Sequence, residues 1–221
     1  MLGKMTTAIS LTLLSTTVWS NTFYLGAEGG PNLADFKQTS SVVSPGSFNV
    51  KNGAHFSGTG LLGSLFGGYA LTIKQFYLAA EANISISSLD SNSFNSEFVH
   101  SSFSNTDYKM QHGFSISALP GYLFTKSTLF YVRLGYANTN FKVSTTDISL
   151  ANINKNLDGF RYGVGIQQTI NPNFSVRLEY NQISYQSTSF TKIDPVGMVT
   201  KSTKITPQTN QVMLGLAYNF A

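Results

Sequence analysis

The chain has no cysteine and few charged side chains, and both absences narrow its class. Disulfide bonds cannot stabilise it. Charged residues make up 11% of the sequence, against about 25% in ordinary soluble domains. Hydrophobic content is ordinary at 42%, and Ser, Thr, Asn and Gly replace the missing charges. Disordered chains carry more charge and fewer aromatic residues, so this composition argues against disorder.

Long apolar runs are also absent after the N-terminus. A membrane-spanning helix needs about 20 consecutive apolar residues, and no later run reaches that length. The formal net charge of +4 is modest and the basic residues are scattered, without the basic patch that nucleic-acid binding requires. We therefore expect neither a helical membrane protein nor a nucleic-acid partner.

The first twenty residues have the pattern of a secretory signal peptide. Lys4 gives a short basic start, residues 5–18 are mostly apolar with Thr and Ser, and Val18 and Ser20 precede a plausible cleavage site. We expect cleavage between Ser20 and Asn21, with residues 1–20 as signal peptide and 21–221 as the mature domain. A membrane-anchoring helix is the alternative, but the apolar run is short and interrupted by Thr and Ser.

Hydrophobicity alternates with period two along the mature chain, which is typical of strands whose faces meet different solvents. In residues 76–87, Phe76 and Ile84 lie on one face and Glu81 and Asn83 on the other. The alternation recurs in residues 23–28, 64–71, 108–118, 130–137, 160–167, 174–181 and 211–220. About eight strands result, which is the smallest number found in outer-membrane barrels.

The connections between these strands alternate in length. The short ones are residues 72–75, 125–128 and 171–173, and the long ones are residues 36–54, 88–106, 144–156 and 187–205. Short periplasmic turns and long extracellular loops are typical of outer-membrane proteins. The sequence therefore predicts an all-β, eight-stranded antiparallel up-and-down transmembrane β-barrel with four long, mobile loops at the cell surface.

Aromatic residues cluster beside the predicted short turns. They are Tyr69, Phe76, Tyr122, Phe124, Phe130, Phe174, Tyr218 and Phe220. Transmembrane barrels carry aromatic girdles at the membrane interfaces, so we expect these residues to form the periplasmic girdle.

Soluble β folds are the main structural alternative. A β-sandwich also has alternating strands, with apolar faces turned inward. A lipocalin-like barrel would need a polar exterior, and the few charged residues on the strands would then be the only charges on that exterior. Scarce charge, a polar face rich in Gly, Ala and Ser, and regular loop alternation all favour the membrane barrel.

Seven charged residues fall on the polar face of the predicted strands. They are Glu28, Glu81, Lys109, Arg133, Arg161, Arg177 and Glu179. They could simply line a polar lumen, or they could form an ionic network that plugs it. The lumen of an eight-stranded barrel is just wide enough for side chains to fill it, so we favour the plug.

Two motifs of possible chemistry are weak. Residues 58–63 match the dinucleotide-binding pattern G-x-G-x-x-G, but an alternating strand follows where that pattern requires a helix. The histidines His55, His100 and His112 are not at metal-ligand spacing, and we expect His112 on the lipid-facing side near the outer rim. We predict no metal and no cofactor.

One further trio loosely resembles the site of barrel enzymes that deacylate lipid A. His100 and Ser102 form an H-x-S pair with Glu97 nearby, but all three fall in a predicted loop. No convincing set of nucleophile, base and orienting group emerges. We therefore predict that the protein is not an enzyme.

Four segments carry a resemblance to a known family. They are residues 115–122 (SISALPGY), 129–136 (LFYVRLGY), 160–165 (FRYGVG) and 215–220 (GLAYNF). The mature chain resembles the outer-membrane β-barrel family that includes opacity-type surface antigens and the membrane domain of outer membrane protein A. In that family the final aromatic residue resembles a recognition signal for the barrel-insertion machinery, and here Ala221 follows Phe220.

The expected role is that of an integral outer-membrane surface protein, acting through its long loops as an adhesin, surface antigen or membrane-stabilising element. A lipid A-modifying enzyme and a narrow porin for small solutes are the alternatives. The expected partners are outer-membrane lipid, lipopolysaccharide, the insertion machinery and host-cell surface ligands, and we expect a monomer.

Overall fold

The computed structural model describes residues 19–44, 46–97, 102–145, 152–194 and 199–220. Nearly all of them lie in nine antiparallel strands: β1 (Trp19–Ser44), β2 (Phe48–Ile73), β3 (Phe76–Glu97), β4 (Ser102–Leu123), β5 (Thr128–Thr145), β6 (Ile153–Asn171), β7 (Phe174–Tyr185), β8 (Thr188–Asp194) and β9 (Val199–Phe220). Within these ranges, no helix is long and apolar enough to cross a membrane. Residues 1–18 of the predicted signal peptide lie outside the described residues, and its cleavage stays a prediction.

The strands form one ring. From β1 to β7 each strand pairs with the next, and β1 pairs with β9 to close the sheet. β7 and β8 follow one another along the same edge of β9, with a break at residues 186–187. The nine strands therefore occupy eight positions, which confirms the predicted eight-stranded up-and-down barrel.

The three predicted short turns are confirmed. The β2–β3 turn consists of Lys74 and Gln75, and Lys74 has a φ of 58°. Positive φ values suit two-residue hairpin turns, because their twist matches that of the strands. In the β6–β7 turn, Asn171 Oδ1 accepts hydrogen bonds from the backbone N–H of Asn173 (3.0 Å) and Phe174 (2.9 Å).

The prediction of long loops is wrong for the described residues, because most of these segments are strand, and the predicted mobility stays a prediction. β1 runs to Ser44 and β2 starts at Phe48, so residues 36–54 are largely a hairpin. The other three predicted loops shorten in the same way as β3, β4, β5, β6, β8 and β9 extend into them. Ser, Thr and Asn side chains interrupt the hydrophobic pattern without preventing the backbone ladder, so the alternation fades while pairing continues.

The two faces of the wall exchange polarity at one height, as β1 shows. Its inward residues change from Glu28 and Asn32 to Phe36, each at most 6% exposed. Its outward residues change from Leu33, which is 48% exposed, to Asp35. On the short-turn side of this height the outer face is apolar and meets lipid, and the inward residues nearest the boundary are polar. On the other side the outer face is polar and meets water, and the interior is apolar.

The same exchange occurs on β5, where the outward residue after Tyr136 is Asn138 and the inward side changes from Arg133 to Phe141. The part beyond this boundary is called the extracellular extension here and comprises the described residues within 34–60, 87–112, 137–159 and 182–211. Short turns and both described chain ends lie at the opposite side, which is the periplasmic arrangement.

An apolar core fills the extension. Its buried members are Ala34, Phe36, Leu89, Tyr108, Met110, Ala137, Phe141, Val143, Leu157, Ile183, Tyr185 and Ile205. Aromatic rings dominate it, with ring-centroid distances of 5.1 Å between Phe36 and Phe56 and 5.9 Å between Phe36 and Phe141. The extension is therefore packed like a small soluble domain.

β4 contains a β-bulge at which the inward-facing residues change from odd to even numbers. The register shifts between Ile86 and Leu89 on β3 and between Met110 and Gly113 on β4. Tyr108 and Met110, which the uninterrupted alternation placed on the lipid-facing side, are buried inside at 2% and 3% exposure. One extra residue reverses the facing of everything beyond it, and a period-two pattern alone does not reveal this.

The periplasmic aromatic girdle is confirmed by ring contacts beside the short turns. Phe76 contacts Tyr122 at 5.8 Å, Phe174 contacts Tyr218 at 5.2 Å, and Phe124 contacts Phe130 at 6.2 Å between ring centroids. Phe23 extends the girdle through Tyr69 at 4.7 Å.

A charge on the lipid-facing side should destabilise the barrel. Leu178 is 50% exposed on the outer face within the apolar band, so Leu178→Arg should cost about 2–4 kcal/mol of unfolding free energy near the bilayer midplane. Gln182→Arg, on the same face but above the boundary, is the matched control and should cost little. Urea unfolding in lipid vesicles measures both, and equal effects would contradict the boundary.

The apolar core of the extension should contribute strongly to stability. Phe141 is fully buried, and Phe141→Ala should lower the unfolding free energy by about 3–5 kcal/mol. The next residue, Lys142, is exposed on the outer face, and Lys142→Ala should be nearly neutral. The same vesicle assay compares them, and a neutral Phe141→Ala variant would mean that the extension is not packed as described.

Candidate functional site

Six of the seven predicted network residues meet inside the membrane-embedded part of the barrel. They are Glu28 on β1, Glu81 on β3, Arg133 on β5, Arg161 on β6, and Arg177 and Glu179 on β7. Small residues on other strands make room for them. A Cβ atom added at Gly215 on β9 would lie 3.1 Å from side-chain atoms of both Arg177 and Glu28.

Opposite charges alternate along the first half of this cluster. Glu28 Oε2 lies 2.5 Å from Arg177 Nη2, and Arg177 Nη1 lies 2.7 Å from Glu81 Oε2. Glu81 Oε1 then lies 2.8 Å from Arg133 Nη2. Two of these distances fall within the range of charge-assisted hydrogen bonds and the third is shorter.

The second half closes the cluster into a ring. Arg133 Nε lies 2.8 Å from Glu179 Oε1, which lies 3.4 Å from Arg161 Nη2. The last link, between Arg161 Nη2 and Glu28 Oε1, is 3.9 Å long. Three glutamates and three arginines thus alternate around a closed loop with no formal net charge, which we call the ionic ring.

Neutral side chains satisfy further hydrogen-bonding capacity of the ring. Each glutamate accepts at least one such bond: from Asn83 to Glu28 (3.3 Å), from Tyr24 to Glu81 (3.0 Å) and from Tyr131 to Glu179 (2.7 Å). Glu179 also accepts one from Asn181 Nδ2. Arg161, the most weakly paired member, donates to Ser115 Oγ at 2.9 Å and to Asn181 Oδ1 at 3.3 Å. A buried charge is tolerated only when it is paired and hydrogen-bonded, and the ring meets that condition.

Aromatic and apolar side chains lie on the periplasmic side of the ring. The guanidinium carbon of Arg177 lies 3.4 Å from the ring centroid of Phe66, which is a cation–π contact. Phe66 belongs to a buried cluster with Tyr24, Ala70, Ala79, Leu119, Leu129, Tyr131 and Ala217. From the periplasm outward the lumen is therefore filled first by this cluster, then by the ionic ring, and finally by the apolar core of the extension.

A small cavity separates the ionic ring from the apolar core. It has a volume of about 30 Å³ and is lined by Glu28 and Arg161 of the ring and by Met110 and Tyr185 of the core. Asn32 also lines it, and its Oδ1 has no hydrogen-bond partner. At roughly 10–15 Å³ each, two or three water molecules would fit.

Lys109 does not belong to the ionic ring, which corrects the sequence-based assignment. Its Nζ lies 3.1 Å from Asp90 Oδ2, and both side chains are nearly half exposed. The β4 bulge between Met110 and Gly113 turns Lys109 to the outer face of the extension. The simple alternation missed that reversal.

The other sequence motifs do not assemble into a site. Residues 58–63 lie within β2, with no helix after them. His55 and His112 are exposed, whereas His100 lies outside the described residues. Across the described ranges, no three metal-binding side chains gather. Glu97 and Ser102 are backbone partners at the far end of the β3–β4 pair.

Breaking the ionic ring should destabilise the barrel more than breaking a surface pair. Glu179→Ala removes one of the two glutamate partners of both Arg133 and Arg161, which are buried, and should cost about 3–5 kcal/mol of unfolding free energy. Asp90→Ala removes the half-exposed partner of Lys109 and should cost at most about 1 kcal/mol. Urea unfolding in lipid vesicles tests the difference. Equal unfolding midpoints for the two variants would show that the ionic ring does not stabilise the barrel more than the surface pair does.

Comparison with known proteins agrees with this architecture. Residues 6–220 match the model of the family described as outer membrane protein beta-barrel domain. Similar solved structures include Neisserial surface protein A (TM-score 0.48, 12% identity, covering 90% of this chain and 97% of that one) and OprG from Pseudomonas aeruginosa (0.46, 13%, 89% and 95%). The attachment invasion locus protein Ail of Yersinia pestis is another (0.39, 19%, 86% and 99%). No curated protein matches the sequence significantly. The chain belongs to the outer membrane protein beta-barrel domain family and is a protein of the bacterial outer membrane.

Proposed function

We propose that the protein is a non-conducting surface protein whose extracellular extension presents a rigid contact surface, in the manner of an adhesin or surface antigen. The observation that carries this proposal is the filled lumen. Buried side chains occupy it from the periplasmic aromatic cluster through the ionic ring to the apolar core of the extension. A barrel filled in this way offers its outer surface, and not its interior, to other molecules.

The extension suits a contact role because its outer face is polar and its backbone is fixed by pairing. Lys37 on β1 and His55 on β2 are exposed cross-strand partners there. Elsewhere on the barrel wall, Lys109 on β4 lies opposite Lys142 on β5. A surface held by strand pairing and an apolar core loses little conformational entropy when it binds.

The enzymatic and pore alternatives receive less support. Ile86 is an exposed residue on the lipid-facing side of β3. The strand continues beyond it for roughly 35 Å, at about 3.3 Å per residue, before it reaches Glu97 and its backbone partner Ser102. Lipid A acyl chains, in contrast, lie within the bilayer. A pore for small solutes would require the glutamates and arginines of the ionic ring to separate. Each separated charge would lose an oppositely charged buried partner, which is energetically costly. Neither alternative therefore has a specific observation in its favour.

The closed lumen predicts electrical silence. Wild-type protein in planar bilayers should show no single-channel conductance, because no described path crosses the ionic ring. Glu179→Ala should admit small ions intermittently, because Arg133 and Arg161 lose a common partner. Asp90→Ala should stay silent. Steady wild-type conductance would reject the proposed closure.

Surface contact requires a separate measurement. Cells that display the protein should bind host-cell surfaces, and the binding should fall when residues 38–54 are replaced by an Asn-Gly turn that joins the paired residues Lys37 and His55. The shortened protein keeps its transmembrane strands, so its amount in the outer membrane serves as the control. Undiminished binding by the shortened protein would remove this hairpin from the contact surface.

A further inference from the structure

The ring of strands is complete in the membrane but not in the extension. Pairing between β6 and β7 ends at Gly159 and Tyr185, followed by one hydrogen bond from Gln186 N–H to the Asp158 carbonyl at 2.8 Å. Beyond it, β8 pairs with β9, and residues 153–158 of β6 pair with β5. Among the described residues, the facing edges of β6 and β8 are thus left without a ladder between them.

A groove of about 550 Å³ lies at the base of this opening, on the outer surface of the barrel. Its walls include Tyr136, Asp158, Phe160, Ser184 and Gln186. Tyr136 and Phe160 are 44% and 56% exposed and belong to the apolar band. Asp158 and Gln186 are the next outward-facing residues toward the cell exterior. The groove therefore spans the change from lipid to water, at the level of the outer-leaflet headgroups.

The polar wall of the groove is pre-oriented. Asp158 Oδ1 accepts a hydrogen bond from the Tyr136 hydroxyl and another from Asn138 Nδ2 at 2.7 Å. Both bonds use the same oxygen, so Oδ2 keeps its capacity to accept hydrogen bonds from a ligand. A carboxylate attracts hydroxyl and amide donors and repels phosphate.

The apolar wall is an exposed aromatic platform. The rings of Phe160 and Tyr162 are stacked with centroids 6.0 Å apart and an interplanar angle of 29°. Below them Val164, which is 58% exposed, continues the lipid-facing column of β6. A ligand that places a ring on this platform could lay an acyl chain along the same column.

We propose that this groove binds the sugar headgroup of an outer-leaflet glycolipid. One sugar ring stacks on Phe160 and Tyr136, its hydroxyl groups donate to Asp158 Oδ2, and its acyl chains follow Tyr162 and Val164. Further sugars can hydrogen-bond to the backbone groups at the facing edges of β6 and β8. A lipid source is favoured over a free saccharide because the aromatic platform is continuous with the lipid-facing column.

The test uses the full barrel in phospholipid nanodiscs, with lipopolysaccharide as the probe. Added lipopolysaccharide should shift the backbone amide signals of Gly159 and Gln186 in a saturable manner. Asp158→Asn and Phe160→Leu should each weaken the apparent affinity about tenfold, the effect of losing one good interaction. Asp90→Asn and Phe174→Leu, which make matched changes elsewhere on the outer surface, should leave it unchanged.

Two further arms separate the chemical sources. Deacylated oligosaccharide from the same lipopolysaccharide should bind at least about tenfold more weakly, because it lacks the acyl contacts. Phosphatidylglycerol, which has a phosphate but no sugar, should cause no saturable shift. Equal binding of the oligosaccharide, equal binding of phosphatidylglycerol, or unchanged affinity in both groove variants would each overturn the proposal. Failure here would leave the conductance and cell-binding results unaffected.

Discussion

Inside a bilayer, backbone N–H and C=O groups find no water, so every strand there must be hydrogen-bonded along both edges. This constraint explains why β1 pairs with β9 and why neighbouring strands stay paired all around the barrel between the short turns and the outer boundary. It no longer applies above the boundary, where water can satisfy a free edge. The pairing of β6 with β7 ends there, at Gly159 and Tyr185.

Closure with eight strands fixes the width of the lumen, and that width determines the chemistry inside it. Charges confined to so narrow a space have little water, so they must neutralise one another. The ionic ring does this with three residues of each sign, each glutamate lying between two arginines. Removal of any member therefore affects two pairs, and the members should behave as one coupled unit rather than as independent bridges.

Much of this architecture could be predicted from the sequence. The alternation of apolar and polar residues gave the strand number, the short turns and six of the seven network residues, because pattern and facing agree wherever lipid lies outside. Prediction failed beyond the boundary. There the outside is water and apolar residues such as Phe36 and Phe141 turn inward, so a polar alternating segment resembles a loop. The bulge on β4 adds a reversal that misplaced Lys109 and Tyr108.

The exchange of polarity also explains why a groove can form where it does. A break in the wall at the height of Leu178 would expose unpaired backbone to hydrocarbon, whereas a break far out in the extension would face water alone. Only near the boundary can an opening adjoin both exposed aromatic rings and exposed polar groups, as Phe160 and Asp158 do. Amphipathic ligands meet the membrane at that same level, so the end of β7 is the position in this wall best matched to one.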